Sequence, residues 1–386
     1  GAAPGALVLA PLRFGATPAR WYVLGEPDSA ERLPTIDGTA APAALRYSGL
    51  DPAALTVVDD GELLSAMLIG GLAAYQSGVA REVLEIAVDY AKVRTQFGAP
   101  IGSFQAVKHL CADMLCRAEQ LSAASWDLAS AIDDVLAADT PALRAQLELS
   151  RLATAVLTAE LSLDNAKDAI QVLGGIGFTF EHDAHLFLRS AMAARAQLAG
   201  GTAARRALAD LGRRGARREF SIDLAAVEHR RPEIAALAQQ VAAAGDDDRR
   251  AELARTGLLA PHWPEPYGLG ADSALQLLID AELDRVQVQR PDLVIAGWAL
   301  PTILEHGTQA QREQFVAPTL AGEITWCQLF SEPEAGSDLA SLRTRAVRTD
   351  GGWLLTGQKI WTSAAHDAQW AVCLARTNPE APKHKG

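Results

Sequence analysis

Residues 326–363 read WCQLFSEPEAGSDLASLRTRAVRTDGGWLLTGQKIWTS, and the fold is decided in this stretch. It opens as an apolar run, breaks at Ser331-Glu332-Pro333 and turns at Ala335-Gly336-Ser337-Asp338. Two alternating segments follow, 344–348 and 353–356, separated by Asp350-Gly351-Gly352. Alternation bounded by Asp and Gly marks paired strands. The stretch reads as a twisted antiparallel sheet that starts with a polar loop. The N–H and C=O groups of such a loop can meet a planar polar ligand.

Working outward, the chain of 386 residues alternates strand-like and helical patterns. Short apolar runs at 6–12 and 21–24 lie among Gly, Pro and Asp and read as strands and turns. From 61 to 98 the pattern becomes helical, with Leu64, Leu68, Leu72, Val79, Val83, Ile86 and Tyr90 at spacings of three, four and seven. Further long, Ala/Leu-rich helices are expected at 103–132 and 141–174, and three such helices pack as a bundle. A weaker Ala-rich segment covers 184–211. The run Arg213-Arg214-Gly215-Ala216-Arg217-Arg218-Glu219 reads as a solvated joint between domains. Helices are expected again at 231–244, 249–256, 273–285 and 301–305, with an aromatic, proline-rich loop at 262–268.

Composition limits the function. A chain 49% hydrophobic and 21% charged can bury a large core in two or three domains. A net charge of −12 argues against a nucleic-acid partner, which needs a basic footprint. The four cysteines (Cys111, Cys116, Cys327 and Cys373) are too scattered for a disulfide framework, and Cys111 and Cys116 read as buried free thiols. No metal-ligand spacing is present; His182 and His185 read as a polar surface pair. With no run of about 18 apolar residues and no charged leader, membrane insertion is not expected, and a reducing cytoplasmic setting fits.

Several long segments resemble the acyl-CoA dehydrogenase family: YAKVRTQFGAPIGSFQAVKH at 90–109, AIQVLGGIGFTFEHDAHLFLRSA at 169–191, LLAPHWPEPYGLG at 258–270 and the 326–377 region. The resemblance implies a mostly α fold in which helical domains, one of them a four-helix bundle, flank a β-barrel or sandwich domain. Here the order is rotated. Residues 1–55 resemble the end of a first unit's β domain and 56–212 its C-terminal bundle. Residues 213–322 resemble the N-terminal helices of a second unit, and 323–386 the first part of its β domain. Two explanations compete, a circular permutant and the central piece of two fused units. The similarity of GAAPGALVLAPLRF at 1–14 to SAAHDAQWAVCLART at 363–377 favours fusion, since a permutant has no need of that strand twice. Such fusions resemble enzymes that desaturate steroid side-chain CoA esters.

The resemblance further implies FAD as cofactor and an acyl-CoA thioester as substrate. It also implies an electron-transfer flavoprotein or similar acceptor, and a homo-oligomer or pseudo-dimer. The chemistry needs a carboxylate to take the Cα proton, hydrogen bonds to the thioester carbonyl and a flavin above the Cα–Cβ bond. By this likeness Gln328, Leu329, Phe330 and Ser331 edge the flavin ring, Ser337 contacts the acyl-CoA, and Trp361, Thr362 and Ser363 cover the ring, unless Trp361 is only a core aromatic. Arg94, Gln96, Phe97, Phe104 and Gln105 correspond to residues that reach the adenosine diphosphate half of a neighbour's flavin, with Arg94 as a fork for pyrophosphate. Gln171, Gly174 and Gly175 form a second such segment; as bare sequence, they are also an ordinary helix C-cap. Gly174-Gly175-Ile176-Gly177 is in the wrong context for a dinucleotide-binding loop. The family's acid positions fall at Gly200 and Leu68, and neither carries a carboxylate. Asp59, Asp60 and Glu62 are weak substitutes. The first unit's own site therefore reads as dead, its bundle serving the second unit's flavin, with that unit's base beyond Gly386. A non-catalytic module that completes a flavin site, or an oxidase or monooxygenase on the same fold, are the alternatives.

Overall fold

A computed structural model describes residues 8–13, 20–38, 42–220 and 222–386. The chain divides into two compact units, Gly1–Phe220 and Ser221–Gly386.

The first unit begins with β1 (Val8–Leu12) and β2 (Arg20–Leu24), paired antiparallel, and a hairpin of β3 (Ser29–Arg32) and β4 (Ala43–Arg46). The short β5 (Thr56–Val57) adds to β2. The strands expected from the apolar runs are therefore present; residues 6 and 7 lie outside the described residues. Helix α1 (Gly61–Val93) runs into a small hairpin of β6 (Thr95–Gln96) and β7 (Ala99–Pro100), followed by α2 (Gln105–Ala137) and α3 (Pro141–Leu173). The buried face of α1 differs from the leucine stripe expected. It is made of Ala66, Ala73, Gln76, Val79, Ala80, Val83, Leu84, Ala87 and Ala91, while Leu68 is half exposed. Small side chains at these spacings let helix backbones approach closely, which is why alanine rather than leucine takes the core side. Asn165, fully buried on α3, donates to the Ala80 and Met114 carbonyls at 3.1 and 2.9 Å and so ties all three helices together. By length and composition α1 could cross a membrane, contrary to the expectation that no stretch could. Here it packs against α2 and α3 through two apolar clusters.

The 184–211 segment is not one helix. It is α4 (Ala184–Gln197) and α5 (Thr202–Arg213), broken where Ala199, Gly200 and Gly201 all take positive φ. Only glycine adopts such a pair without strain, so the two glycines set the break. The 213–219 run is not a free solvated joint. Arg218 pairs with Asp127 at 2.8 Å, and Gln146 accepts from the Glu219 N–H and donates to the Arg217 carbonyl. Cys111 is half-buried and Cys116 exposed, not buried as expected, because Cys116 lies off the core face of α2. His182 Nδ1 accepts from the Ala184 N–H, and His185 stacks edge-on against Phe180, so this pair serves local structure.

The second unit has α6 (Arg231–Ala243), α7 (Arg249–Arg255), α8 (Ser273–Arg285), α9 (Ala296–His306) and α10 (Gln309–Ala321) around one large apolar cluster. Sequence reading gave α9 too short and missed α10. The signal for α10 was present: Thr308 and Gln311 form a reciprocal capping box, and Gly322 ends the helix at positive φ. Strand β8 (Trp326–Leu329) packs onto α10, where Trp326 Nε1 donates to Thr319 Oγ1 at 2.9 Å and Phe315 sits edge-on to both Trp326 and Trp370. The hairpin of β9 (Arg345–Thr349) and β10 (Gly352–Thr356) is as expected, turning at Asp350-Gly351. The single antiparallel sheet is not: β8 pairs in parallel with β11 (Trp370–Cys373). A parallel partner requires a long crossover, and residues 330–369 supply it.

Candidate functional site

The first candidate segment is built where β8 ends. Gln328 and Leu329 lie opposite Val372 and Cys373 of β11, and the Leu329 carbonyl accepts from the Leu374 N–H at 3.1 Å. Beyond the strand, the Phe330 carbonyl accepts from Lys359 Nζ at 2.9 Å and the Ser331 carbonyl from the Ile360 N–H at 2.9 Å. These two bonds pin 359–360 against 330–331. Trp361-Thr362-Ser363 therefore emerge directly beside the loop, so the structure brings together 328–331 and 361–363, the two segments expected from sequence to border a flavin ring.

Trp361 is 87% exposed, so it is not a core aromatic of this unit. Its φ of +58° is strained for a bulky side chain, and a strained, exposed tryptophan beside a polar loop is poised to contact a ligand. The N–H groups of Phe330 and Ser331 and the Ser331 hydroxyl have no partner among the described residues. The loop edge thus presents donors, while its carbonyls are already engaged. That fits the flavin ring, whose rim is rich in acceptors and whose face suits an indole lid.

Sequence reading missed what holds this edge, the buried pair of Glu332 and Lys359, 2.9 Å apart with side chains 7% and 8% exposed. Glu332 also accepts from the Arg343 and Thr344 N–H groups at 2.6 and 2.9 Å. Burial alone would raise its pKa; the hydrogen bonds from Thr344, Arg343 and Lys359 outweigh that and hold it down at about 2. The signal available in the sequence was faint: one acid directly after Ser331 and one base two residues before Trp361. Ser337 is exposed in the following turn, next to Asp338, which accepts from Ser341 Oγ at 2.5 Å and from Lys383.

The second candidate segment is at one end of the bundle. The C-terminal half of α1, the N-terminal half of α2 and the C-terminal half of α3 share one apolar cluster, so residues 94–105 and 171–175 open on the same end. Arg94 caps α1 and its carbonyl accepts from the Ile101 N–H at 2.8 Å, while its side chain stays exposed. Phe97 and Gly98 form the turn of the β6–β7 hairpin, both at positive φ. Phe97 is 95% exposed and meets Phe104 edge-on at 6.0 Å. Gln96 bonds only the Thr95 carbonyl beside it, and Gln105 approaches His109 at 3.4 Å. Gly174 is the C-cap of α3 at φ +64°, and Gln171 is exposed on its last turn. The segment ends the helix as an ordinary C-cap, and nothing stands within 4 Å of where a Cβ would lie at Gly174 or Gly175.

The acid positions are as empty of carboxylate as the sequence implied. Gly200 lies in the α4–α5 break and Leu68 on the half-exposed side of α1. Asp60 is not a substitute. It caps α1 by accepting from the Leu63 N–H at 2.9 Å and is gripped by Arg144, which pulls its pKa below the usual carboxylate value.

Comparison with known proteins matches three family models: the acyl-CoA dehydrogenase C-terminal domain over 70–215, the N-terminal domain over 223–323 and the middle domain over 327–386. The chain is 54% identical over its whole length to acyl-CoA dehydrogenase FadE34 of Mycobacterium tuberculosis, and spans 53% of that protein. It is 40% identical over 135 residues to acyl-CoA dehydrogenase FadE29 of the same organism, a match covering 35% of each chain. Among solved structures, the ChsE4-ChsE5 complex from Mycobacterium tuberculosis overlaps 54% of this chain and 55% of that one, at 24% identity and a TM-score of 0.43.

Proposed function

Because the chain belongs to the acyl-CoA dehydrogenase family, a family of FAD flavoproteins, we propose that it takes part in the α,β-dehydrogenation of an acyl-CoA thioester to the trans-2-enoyl-CoA. The acyl group is a fatty chain or a steroid side chain. The observation that carries this reading is the loop edge at Phe330 and Ser331, with unpartnered donors and an exposed Trp361 beside it. Bound FAD supplies the two-electron acceptor of the desaturation. The chain's own residues do the holding: Phe330 and Ser331 donate to the rim, Trp361 with Thr362 and Ser363 closes over one face and excludes water, and Ser337 meets the substrate.

In this reading residues 1–55 and 56–212 are the end of a first unit, and 213–322 and 323–386 the start of a second. The exposed Arg94, Gln96, Phe97, Phe104 and Gln105, with Gln171, Gly174 and Gly175, serve the adenosine diphosphate half of a flavin within an oligomeric or pseudo-dimeric assembly. The first unit is catalytically degenerate, since Gly200 and Leu68 cannot take a proton and Asp60 is committed to Arg144. That same observation favours a second reading, in which this part of the protein completes a flavin site without turnover of its own.

The test is product analysis of the complete protein with fatty and steroid side-chain acyl-CoAs. An artificial electron acceptor replaces oxygen in one arm and an electron-transfer flavoprotein in another. Enoyl-CoA formed with either acceptor but not with oxygen alone supports a dehydrogenase. Product formed only with oxygen points to an oxidase, and no product with flavin bound supports the second reading.

A further inference from the structure

Among the described residues, Lys359 is the one whose side chain bonds both the Phe330 carbonyl at the loop edge and the buried acid behind it. Its Nζ lies 2.9 Å from the Phe330 carbonyl and 2.9 Å from Glu332 Oε1. One residue on, the Ile360 N–H takes the Ser331 carbonyl, and one further is the strained Trp361. Glu332 in turn closes a tight turn, exchanging main-chain bonds with Ala335 at 2.9 and 3.1 Å. The ammonium therefore does two things. It removes the acceptor nearest the loop edge, and it neutralises the carboxylate buried behind that edge.

We infer that Lys359 is a positioning residue for the flavin ring: by holding the Phe330 carbonyl and the Glu332 carboxylate, it leaves a rim of donors only, which favours the more electron-rich reduced flavin. This rests on the proposal that 328–331 and 361–363 border the ring. Reduction by two electrons raises the electron density on the ring's nitrogens and oxygens, so N–H donors stabilise the reduced form more than the oxidised form. A free carbonyl or an uncompensated carboxylate at the same edge does the opposite, and the low-dielectric surroundings of a buried pair strengthen the effect.

The experiment uses the full-length protein with bound FAD and measures the midpoint potential by equilibration with a reference dye, together with FAD release and thermal unfolding. Lys359→Met exposes the Phe330 carbonyl and strands the Glu332 charge. It is expected to shift the oxidised-to-reduced equilibrium at least about tenfold toward the oxidised form, about 30 mV for a two-electron couple. Lys359→Arg is expected to restore most of the potential, and Lys359→Met combined with Glu332→Gln to recover part of it by removing the stranded charge. Should Lys359→Met fail to fold, Lys359→Gln, which keeps a donor but loses the charge, is expected to show the same direction of shift. A Met or Gln variant that holds FAD at the wild-type potential overturns the inference, as do Met and Arg variants equally defective in potential or FAD retention. Wild-type protein that carries no flavin would instead overturn the reading of the site itself.

Discussion

Asp60 and Arg144 join the start of α1 to the start of α3 through a two-point contact at 2.9 and 2.5 Å. The same carboxylate caps α1 at Leu63, and the same guanidinium also holds Asp139 at 2.7 Å. An acid placed two turns from Leu68 looks like a relocated base in the sequence, yet every oxygen of it is committed to structure. Asp60→Ala is expected to cost about 2 kcal/mol through the lost cap and ion pair, with turnover per folded molecule unchanged. Because the folded pKa of Asp60 lies below the ordinary value of 3.8, the stabilisation is complete above that value and fades as pH falls through the folded pKa. Denaturant titrations of wild type and variant at pH 7 and pH 3 check this. A hundredfold loss of turnover in Asp60→Ala would make it the base after all.

Glu332 gives a second, wider pH window. Its pKa is held at about 2 against an ordinary 4.5. Its contribution is thus full above pH 4.5 and is lost only as pH falls toward 2. Glu332→Ala strands Lys359 in the interior and is expected to cost about 3–5 kcal/mol, read as the unfolding transition of the second unit. A loss under 1 kcal/mol would mean that the pair is solvated in solution.

Phe97 combines near-complete exposure with φ +52° at the tip of a two-residue hairpin turn. Both features oppose stability, and such strain collects where a side chain is held for a partner or ligand. Phe97→Asn is expected to gain about 1 kcal/mol in stability while weakening FAD retention by the assembled protein. Thermal unfolding and FAD release, measured on the same preparation, separate the two effects. A variant that gains stability and keeps its flavin would show that the aromatic serves neither.

Arg94 is exposed at the end of α1, so its loss leaves the fold intact. If its guanidinium forks the flavin pyrophosphate, Arg94→Ala is expected to cost about 1.5–3 kcal/mol of FAD affinity, roughly ten- to hundredfold. Equilibrium dialysis of FAD against the full-length variant measures it, and unchanged affinity removes Arg94 from the site.

What could be read in the sequence follows the range of the interactions. The β9–β10 hairpin was legible because Asp350-Gly351 carries its own turn chemistry, and α1 to α3 because their periodicity is local. Helix α10 was missed because its polar start and Pro318 mask the period, although the Thr308–Gln311 capping box marks where it begins. The parallel pairing of β8 with β11 joins residues some forty positions apart, and no local pattern encodes it. The likeness of whole segments to a family placed Phe330, Ser331 and Trp361 together. It said nothing of the Lys359–Glu332 pair that fixes their spacing, because a buried ion pair leaves no periodic trace.

The proposed flavin site stands or falls with the segment ending in Trp361 and the loop at Phe330 and Ser331. The most direct measurement is the visible spectrum of the purified full-length protein and its Trp361→Ala variant, before and after acyl-CoA is added without oxygen. Flavin bands that bleach with substrate are expected in the wild type, and in the variant either lost flavin or bands with altered position and slower bleaching. A wild type without flavin, or a variant whose bands and bleaching match the wild type, would contradict it.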